Sequence, residues 1–167
     1  MELPKVEDLI EQLVAQMRPS IAADTALVGI HTGGAWLAQR LHAELEIAAP
    51  LGSIDVAFYR DDLSGRGMHA KARRSDIPFE VEGRPVVIVD DVVYTGRTTR
   101  AALNELFDYG RPARVDLAVL VDRGGRELPI DARYCAHRLA QPLAANLNLR
   151  LERDADGAFS LRLIETR

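Results

Sequence analysis

The stretch VVIVDDVVYTGRTTR, residues 86–100, decides the reading of this chain. An apolar, β-branched run stops at two adjacent acids, Asp90 and Asp91, and a glycine follows among hydroxyl residues and arginine. The run reads as a buried strand, and Arg97 onward reads as a helix. The turn between them ends at a helix N-terminus, where free backbone N–H groups favour an anion; Gly96 lets the backbone approach it closely. Thr95, Thr98 and Thr99 add hydroxyl donors, so Thr95, Gly96, Arg97, Thr98 and Thr99 form a cup suited to a phosphate monoester. Asp90 and Asp91 repel that phosphate, but carboxylates accept hydrogen bonds from vicinal hydroxyls and help to hold hydrated magnesium. Acids for a ribose beside a cup for its 5′-phosphate describe a sugar-phosphate site. The blander readings are a strand reaching water and a threonine-capped helix. Neither accounts for the ordered set of strand, paired acids, cup and helix. Neither GxxxxGK[ST] nor GxGxxG occurs.

Working outward, apolar residues from Val6 to Met17 recur at helical spacing and stop before Pro19. ALVGIH (26–31) predicts a strand, TGG a turn, AWLAQRLHAELE (35–46) a helix and IDVAFYRDD (54–62) a strand. Residues 61–76 are polar, aperiodic and glycine-containing, a long loop of the kind that usually serves function. The pattern then repeats: strand 84–91, helix 97–109, a break at Gly110 and Pro112, and strand 114–123. Strands alternating with helices predict an α/β fold with a doubly wound, mostly parallel sheet. The tail, NLNLRLERDADGAFSLRLIE (146–165), alternates on both sides of Asp-Ala-Asp-Gly and predicts a β-hairpin. Ligands of such a sheet sit beyond the carboxyl ends of its strands, where Thr32-Gly33-Gly34, 90–99 and 122–126 gather.

With 167 residues the chain is expected to form a single domain, 1–167. The formal charge of -4 offers no general attraction to nucleic acid. One cysteine, Cys135, excludes an internal disulfide and suits a reducing cytoplasm. No stretch approaches the roughly 20 apolar residues that span a bilayer, so a cytoplasmic protein without membrane contact is expected.

VVIVDDVVYTGRTT resembles the phosphoribosyl pyrophosphate (PRPP) motif of type I phosphoribosyltransferases. With FYRDDL (58–63), YTGRT, GRP (110–112) and LAVLVDRGGRELPI (117–130), the resemblance narrows to the PyrR family of pyrimidine-operon regulators and uracil phosphoribosyltransferases. It covers about residues 27–134 and is weak in the first helix and the tail. It implies the type I phosphoribosyltransferase fold with a small hood, and a reaction in which uracil and PRPP give UMP and pyrophosphate. Carried onto this chain, Asp90 and Asp91 bind the ribose hydroxyls and Thr95 to Thr99 the 5′-phosphate. Thr32, Gly33 and Gly34 form the pyrophosphate loop, and the long loop closes over PRPP with Arg60, Lys71, Arg73 and Arg74 as its cations. Asp122, Arg123 and Arg126 lie near the base or the pyrophosphate, and Arg123 joins the two acids as a catalytic candidate. Tyr94 stands where some purine-using relatives carry an acid, which argues against a purine enzyme of that kind. Mg2+ arrives on PRPP, with few protein ligands. Pyrophosphate leaves through an oxocarbenium-like transition state, its charge stabilised by magnesium and cations, and a closed loop excludes water. No general base is evident.

The chain departs from the family in two places. Gly33 replaces the usual arginine of the pyrophosphate loop, and Gly125 replaces a histidine. These losses favour the alternative of a PRPP- or UMP-sensing regulator with little turnover; a type I transferase for another base is a further alternative. The family also implies messenger-RNA binding and assembly as a homodimer or larger homo-oligomer. VEDLIEQLVAQMR (6–18), however, offers one arginine against three acids, which disfavours RNA.

No two histidines share a metal-ligand spacing. His31 suits a locally bonded strand end as well as a pyrophosphate contact. Trp36 reads as core and Cys135 as a structural thiol.

Overall fold

The computed structural model describes residues 2–57 and 75–166. Five strands form a parallel sheet in the order β2-β1-β3-β4-β5: β1 Ala26–Ile30, β2 Gly52–Ile54, β3 Pro85–Val93, β4 Arg114–Asp122 and β5 Tyr134–Arg138. Successive side chains of a strand face opposite ways, and both faces here are apolar. Leu27, Val87, Val89 and Leu120 meet helices α1 Val6–Met17 and α2 Gly33–Glu44. Val28, Ile30, Ile88 and Val119 meet helix α3 Arg97–Phe107 on the other face. The doubly wound parallel sheet is thus as expected. From β1 the chain moves outward to β2, then returns to place β3 on β1's other side. That reversal opens a crevice between the carboxyl ends of β1 and β3.

The sequence reading changes most at β3, β2 and β5, while α2 begins two residues early, at Gly33, and α3 ends at Phe107. β3 runs on to Val93, so Asp90 and Asp91 lie within the strand rather than at its tip, because ladder pairs continue at Val92↔Val121 and Val93↔Asp122. Of the strand expected over 54–62, the described residues 54–57 keep only Ile54 in β2. Its partner β1 ends at Ile30, and the Asp55 carboxylate accepts the Ala57 N–H at 2.9 Å, drawing that amide into a local turn. The remainder of that stretch, FYRDDL and most of the long loop lie outside the described residues. β5 was not foreseen. Its outer edge is partly covered by Gln16 of α1, whose side-chain amide accepts the Cys135 N–H at 3.1 Å and donates to the Cys135 carbonyl at 3.0 Å.

The tail forms the expected antiparallel hairpin, β6 Leu147–Arg153 and β7 Phe159–Glu165. Asp154 accepts the Asp156 and Ala158 N–H groups in its turn, and Gly157 supplies a φ of 86°. Leu149 and Leu151 bury against the α1–α2 core, and Phe159 stacks on Trp36 with ring centres 6.5 Å apart. Among the described residues no helix is long and apolar enough to cross a membrane.

Two close contacts hold the crevice in shape. At Gly29 a β-carbon would stand 2.6 Å from Ala35 Cα and 2.8 Å from Ala38 Cβ, so α2 rests directly on the β1 backbone. At the end of β4, Asp122 accepts hydrogen bonds from Arg126 (2.7 Å), Arg138 (2.6 Å) and the Gly124 N–H (3.0 Å). Burial pushes the Asp122 carboxyl up, but the Arg126 hydrogen bond, the Gly124 N–H and the two guanidinium charges outweigh it and hold its pKa below the ordinary value.

Gly29→Ala is expected to destabilise the fold by about 1–3 kcal/mol in urea titrations, because the methyl group must push α2 off the sheet. A carboxyl depressed in the folded state contributes stability above its unfolded pKa and loses it as pH falls through the folded value. Asp122→Asn is therefore expected to be less stable than the wild type at neutral pH, with the gap narrowing below about pH 4 in acid-unfolding curves.

Candidate functional site

At the mouth of the crevice lies a cavity of about 790 Å3, walled by the carboxyl end of β3, the first turns of α2 and α3, Arg123 and one face of the hairpin. Its floor is set by glycines. A β-carbon at Gly34 would lie 2.5 Å from the Val89 carbonyl and 2.9 Å from Asp90 Cα, and one at Gly33 would lie 2.6 Å from Asp91 Oδ2. Only a bare backbone permits this approach of α2 to β3. Asp90 is buried, with Oδ1 accepting the Asp91 N–H at 3.0 Å. Asp91 Oδ2 accepts the Leu151 N–H of β6 at 2.7 Å, which joins the hairpin to the acids. A carboxylate offers about four acceptor positions, so the Leu151 amide leaves Asp91 capacity for hydroxyls.

The cup stands beside the acids. Gly96, at φ 93°, precedes α3 as its N-cap and brings no side chain of its own to the helix start. Thr95 Oγ1 accepts the Arg97 N–H at 3.2 Å, and the Thr95 carbonyl accepts the N–H groups of Glu127 and Leu128. Arg97 Nε donates to Glu127 at 2.8 Å, so the loop after β4 braces the cup. Thr99 is buried and Thr98 half-buried.

Tyr94 and Arg123 form the wall toward the hairpin. The guanidinium carbon of Arg123 lies 3.8 Å from the centre of the Tyr94 ring. Arg123 is buried, donates to the Leu147 and Ala144 carbonyls, and its Nε has no partner among the described residues. Burial pushes its pKa down from the ordinary value, since an ion out of water is disfavoured. Gly125 adopts φ 83°, and a β-carbon there would lie 2.5 Å from Tyr94 Cε2. The Tyr94 ring thus fills the space beside position 125.

Of the residues singled out from sequence, Thr32, Gly33, Asp90, Asp91, Tyr94, Thr95, Gly96, Arg97, Thr98, Thr99 and Arg123 line this one cavity. Gly34, Asp122 and Arg126 do not. Gly34 lies beneath the floor. Arg126 donates to Asp122, to the Tyr94 carbonyl and to the Ile130 carbonyl, each at 2.7 Å, so Asp122 and Arg126, expected near the base or the pyrophosphate, are bonded to each other and Arg126 to its own loop. Arg60 and Arg74, like Lys71 and Arg73, lie outside the described residues. Trp36, read as core, is half-buried and lines the cavity from the first turn of α2. The hairpin residues from Leu147 to Arg153 also line it. Position 36, three residues after Gly33, was a signal for Trp36, since helical residues three apart share a face. Nothing local marks the hairpin as a wall. The Cys135 thiol is pushed up by burial and donates to the His137 carbonyl, which makes it a poor nucleophile.

Residues 2–142 match the phosphoribosyl transferase domain family. The chain is 50% identical over 155 residues to the bifunctional protein PyrR of Pseudomonas entomophila, covering 90% of this chain and 89% of that one. It is 44% identical over 170 residues to that of Pseudomonas syringae pv. tomato, covering 99% of each. Among solved structures, a hypoxanthine-guanine phosphoribosyltransferase of Bacillus anthracis superposes with a TM-score of 0.66 at 18% identity, over 84% of both chains. A purine phosphoribosyltransferase of Pyrococcus horikoshii superposes with a TM-score of 0.61 at 27% identity, over 83% of this chain and 85% of that one. With paired acids and a glycine-led helix start in one cavity, and with this extent of identity, the chain belongs to the PyrR family and is built on the phosphoribosyl transferase domain.

Proposed function

We propose that this protein transfers the phosphoribosyl group of PRPP to uracil, giving UMP and pyrophosphate. The observation that carries the reading is the shared cavity of Asp90–Asp91 and the Thr95–Thr99 cup. The two follow one another along a single strand and the turn after it, and both line the same cavity. The acids accept the ribose hydroxyls, the helix start and threonines hold the phosphate, and the Thr32–Gly33 turn faces the pyrophosphate. Tyr94, stacked on Arg123, and the backbone of β6 enclose the base. The absence of an acid at position 94 and membership of the PyrR family favour uracil over a purine.

In the reaction the bond from ribose C1 to pyrophosphate breaks with its electron pair, and N1 of uracil bonds C1 and releases its proton. The hard oxygen donors of Asp90 and Asp91 fit a magnesium ion that arrives with PRPP and keeps most of its ligands from substrate and water. When bound, that ion supplies charge neutralisation to the leaving group. The acids orient the ribose, and the hairpin wall, held to Asp91 and Arg123 by backbone hydrogen bonds, keeps water from C1. Control of pyrimidine genes through RNA is the family's second role. Glu7, Asp8 and Glu11 are exposed on α1, so phosphate contacts would have to come from another face. A homodimer or larger assembly belongs to the same proposal and is checked by light scattering.

Pyrophosphate release with PRPP and Mg2+ is the direct test: turnover with uracil and none with hypoxanthine, guanine, adenine or orotate is expected. Turnover with a purine instead would overturn the reading. Asp91→Asn is expected to raise KM for PRPP about tenfold or more, because hydrogen bonds to a charged acceptor contribute about 1.5–3 kcal/mol. Gly125→His restores the residue usual in the family, yet kcat/KM for uracil is expected to fall about tenfold, since a side chain at positive φ would also displace the Tyr94 ring.

A further inference from the structure

We propose that Arg153, on the hairpin strand β6, is a pyrophosphate-binding residue of this site and supplies the positive charge that the Thr32–Gly33 turn lacks. The inference rests on the phosphoribosyl-transfer reading. A leaving group with several negative charges needs a cation near this turn, and Thr32 and Gly33 carry none. Any side chain at position 33 would begin 2.6 Å from the Asp91 carboxylate, which the Leu151 N–H holds in place. The same hydrogen bond fixes the register of β6 above the turn. Residues 149, 151 and 153 share one face of that strand. Leu149 and Leu151 are buried on it, and Arg153 continues the row at the cavity mouth.

The guanidinium of Arg153 is already positioned. Its carbon lies 4.8 Å from the centre of the Trp36 ring, and Phe159 stacks on the same ring. Trp36 is one helical turn from Gly33, on the same face of α2. Stacking on an indole orients a guanidinium without neutralising it. The other cavity arginines are otherwise engaged. Arg123 donates to the Leu147 and Ala144 carbonyls, Arg97 pairs with Glu127, and Arg150 pairs with Glu152. Among the described residues Arg153 has no carboxylate partner within ion-pair distance.

Calorimetric titration with magnesium pyrophosphate tests the assignment without turnover, and UMP serves as a ligand of the same cavity that lacks the pyrophosphate. Arg153→Ala is expected to weaken pyrophosphate about tenfold and to leave UMP within about twofold, with partial recovery in Arg153→Lys. Arg162→Ala, on β7 and outside the cavity, is expected to match the wild type. Trp36 is the single tryptophan, so pyrophosphate is also expected to shift its emission in the wild type and UMP to leave it unchanged. Wild-type pyrophosphate affinity in Arg153→Ala, or equal loss of pyrophosphate and UMP, overturns the proposal. Uracil turnover that survives alongside either result leaves the transferase reading standing. Arg153-dependent pyrophosphate binding in a protein that turns over no base would support the assignment and overturn that reading.

Discussion

Two carboxylates placed side by side in a mostly buried strand repel one another and lose hydration, and the surrounding structure answers that cost. The Asp91 amide donates to Asp90, and the Leu151 amide, sixty residues further on, donates to Asp91. For the acids to face a ligand, α2 must begin with backbone alone against them, as Gly33 and Gly34 provide. The start of α2, the turn into α3 and the seating of the hairpin therefore follow from one local demand. Each element touches the acids or a residue that touches them.

Seen this way, the two departures from family pattern are not simple losses. A smaller residue at 33 coincides with an Asp91 carboxylate turned toward that space and pinned there by β6. A smaller residue at 125 coincides with a Tyr94 ring lying against it and stacked on Arg123. In both places a side chain from the motif strand or its turn occupies the space beside the glycine. The cavity is lined by its own acids, its tyrosine and the hairpin strand β6.

Much of this was legible in the order of residues. Elements whose cores are continuous apolar runs or clean helical repeats, β1, β3, β4 and the three helices, follow from periodicity. The hairpin follows from alternation around Asp154 to Gly157. β5 was hidden because YCAHR fully buries only Tyr134 and borrows its edge partner from a side chain of α1. The paired acids and cup were visible as a contiguous motif. Trp36 and Arg153 were not, since their meeting depends on two segments that neither pattern nor charge links. Asp122 and Arg126 have the composition of ligands, and only their mutual hydrogen bond shows them facing one another instead of the cavity.

The pairing of Gln16 with Cys135 bears on how the chain reaches this form. The two residues are 119 positions apart, and Ser20 and Tyr134 meet across 114. Helix α1 is thus completed by the last strand of the five-stranded sheet. Contacts of such separation are entropically expensive to close and slow to form. The apolar face of α1 is therefore left without its β5 contacts until residues past 135 have been made.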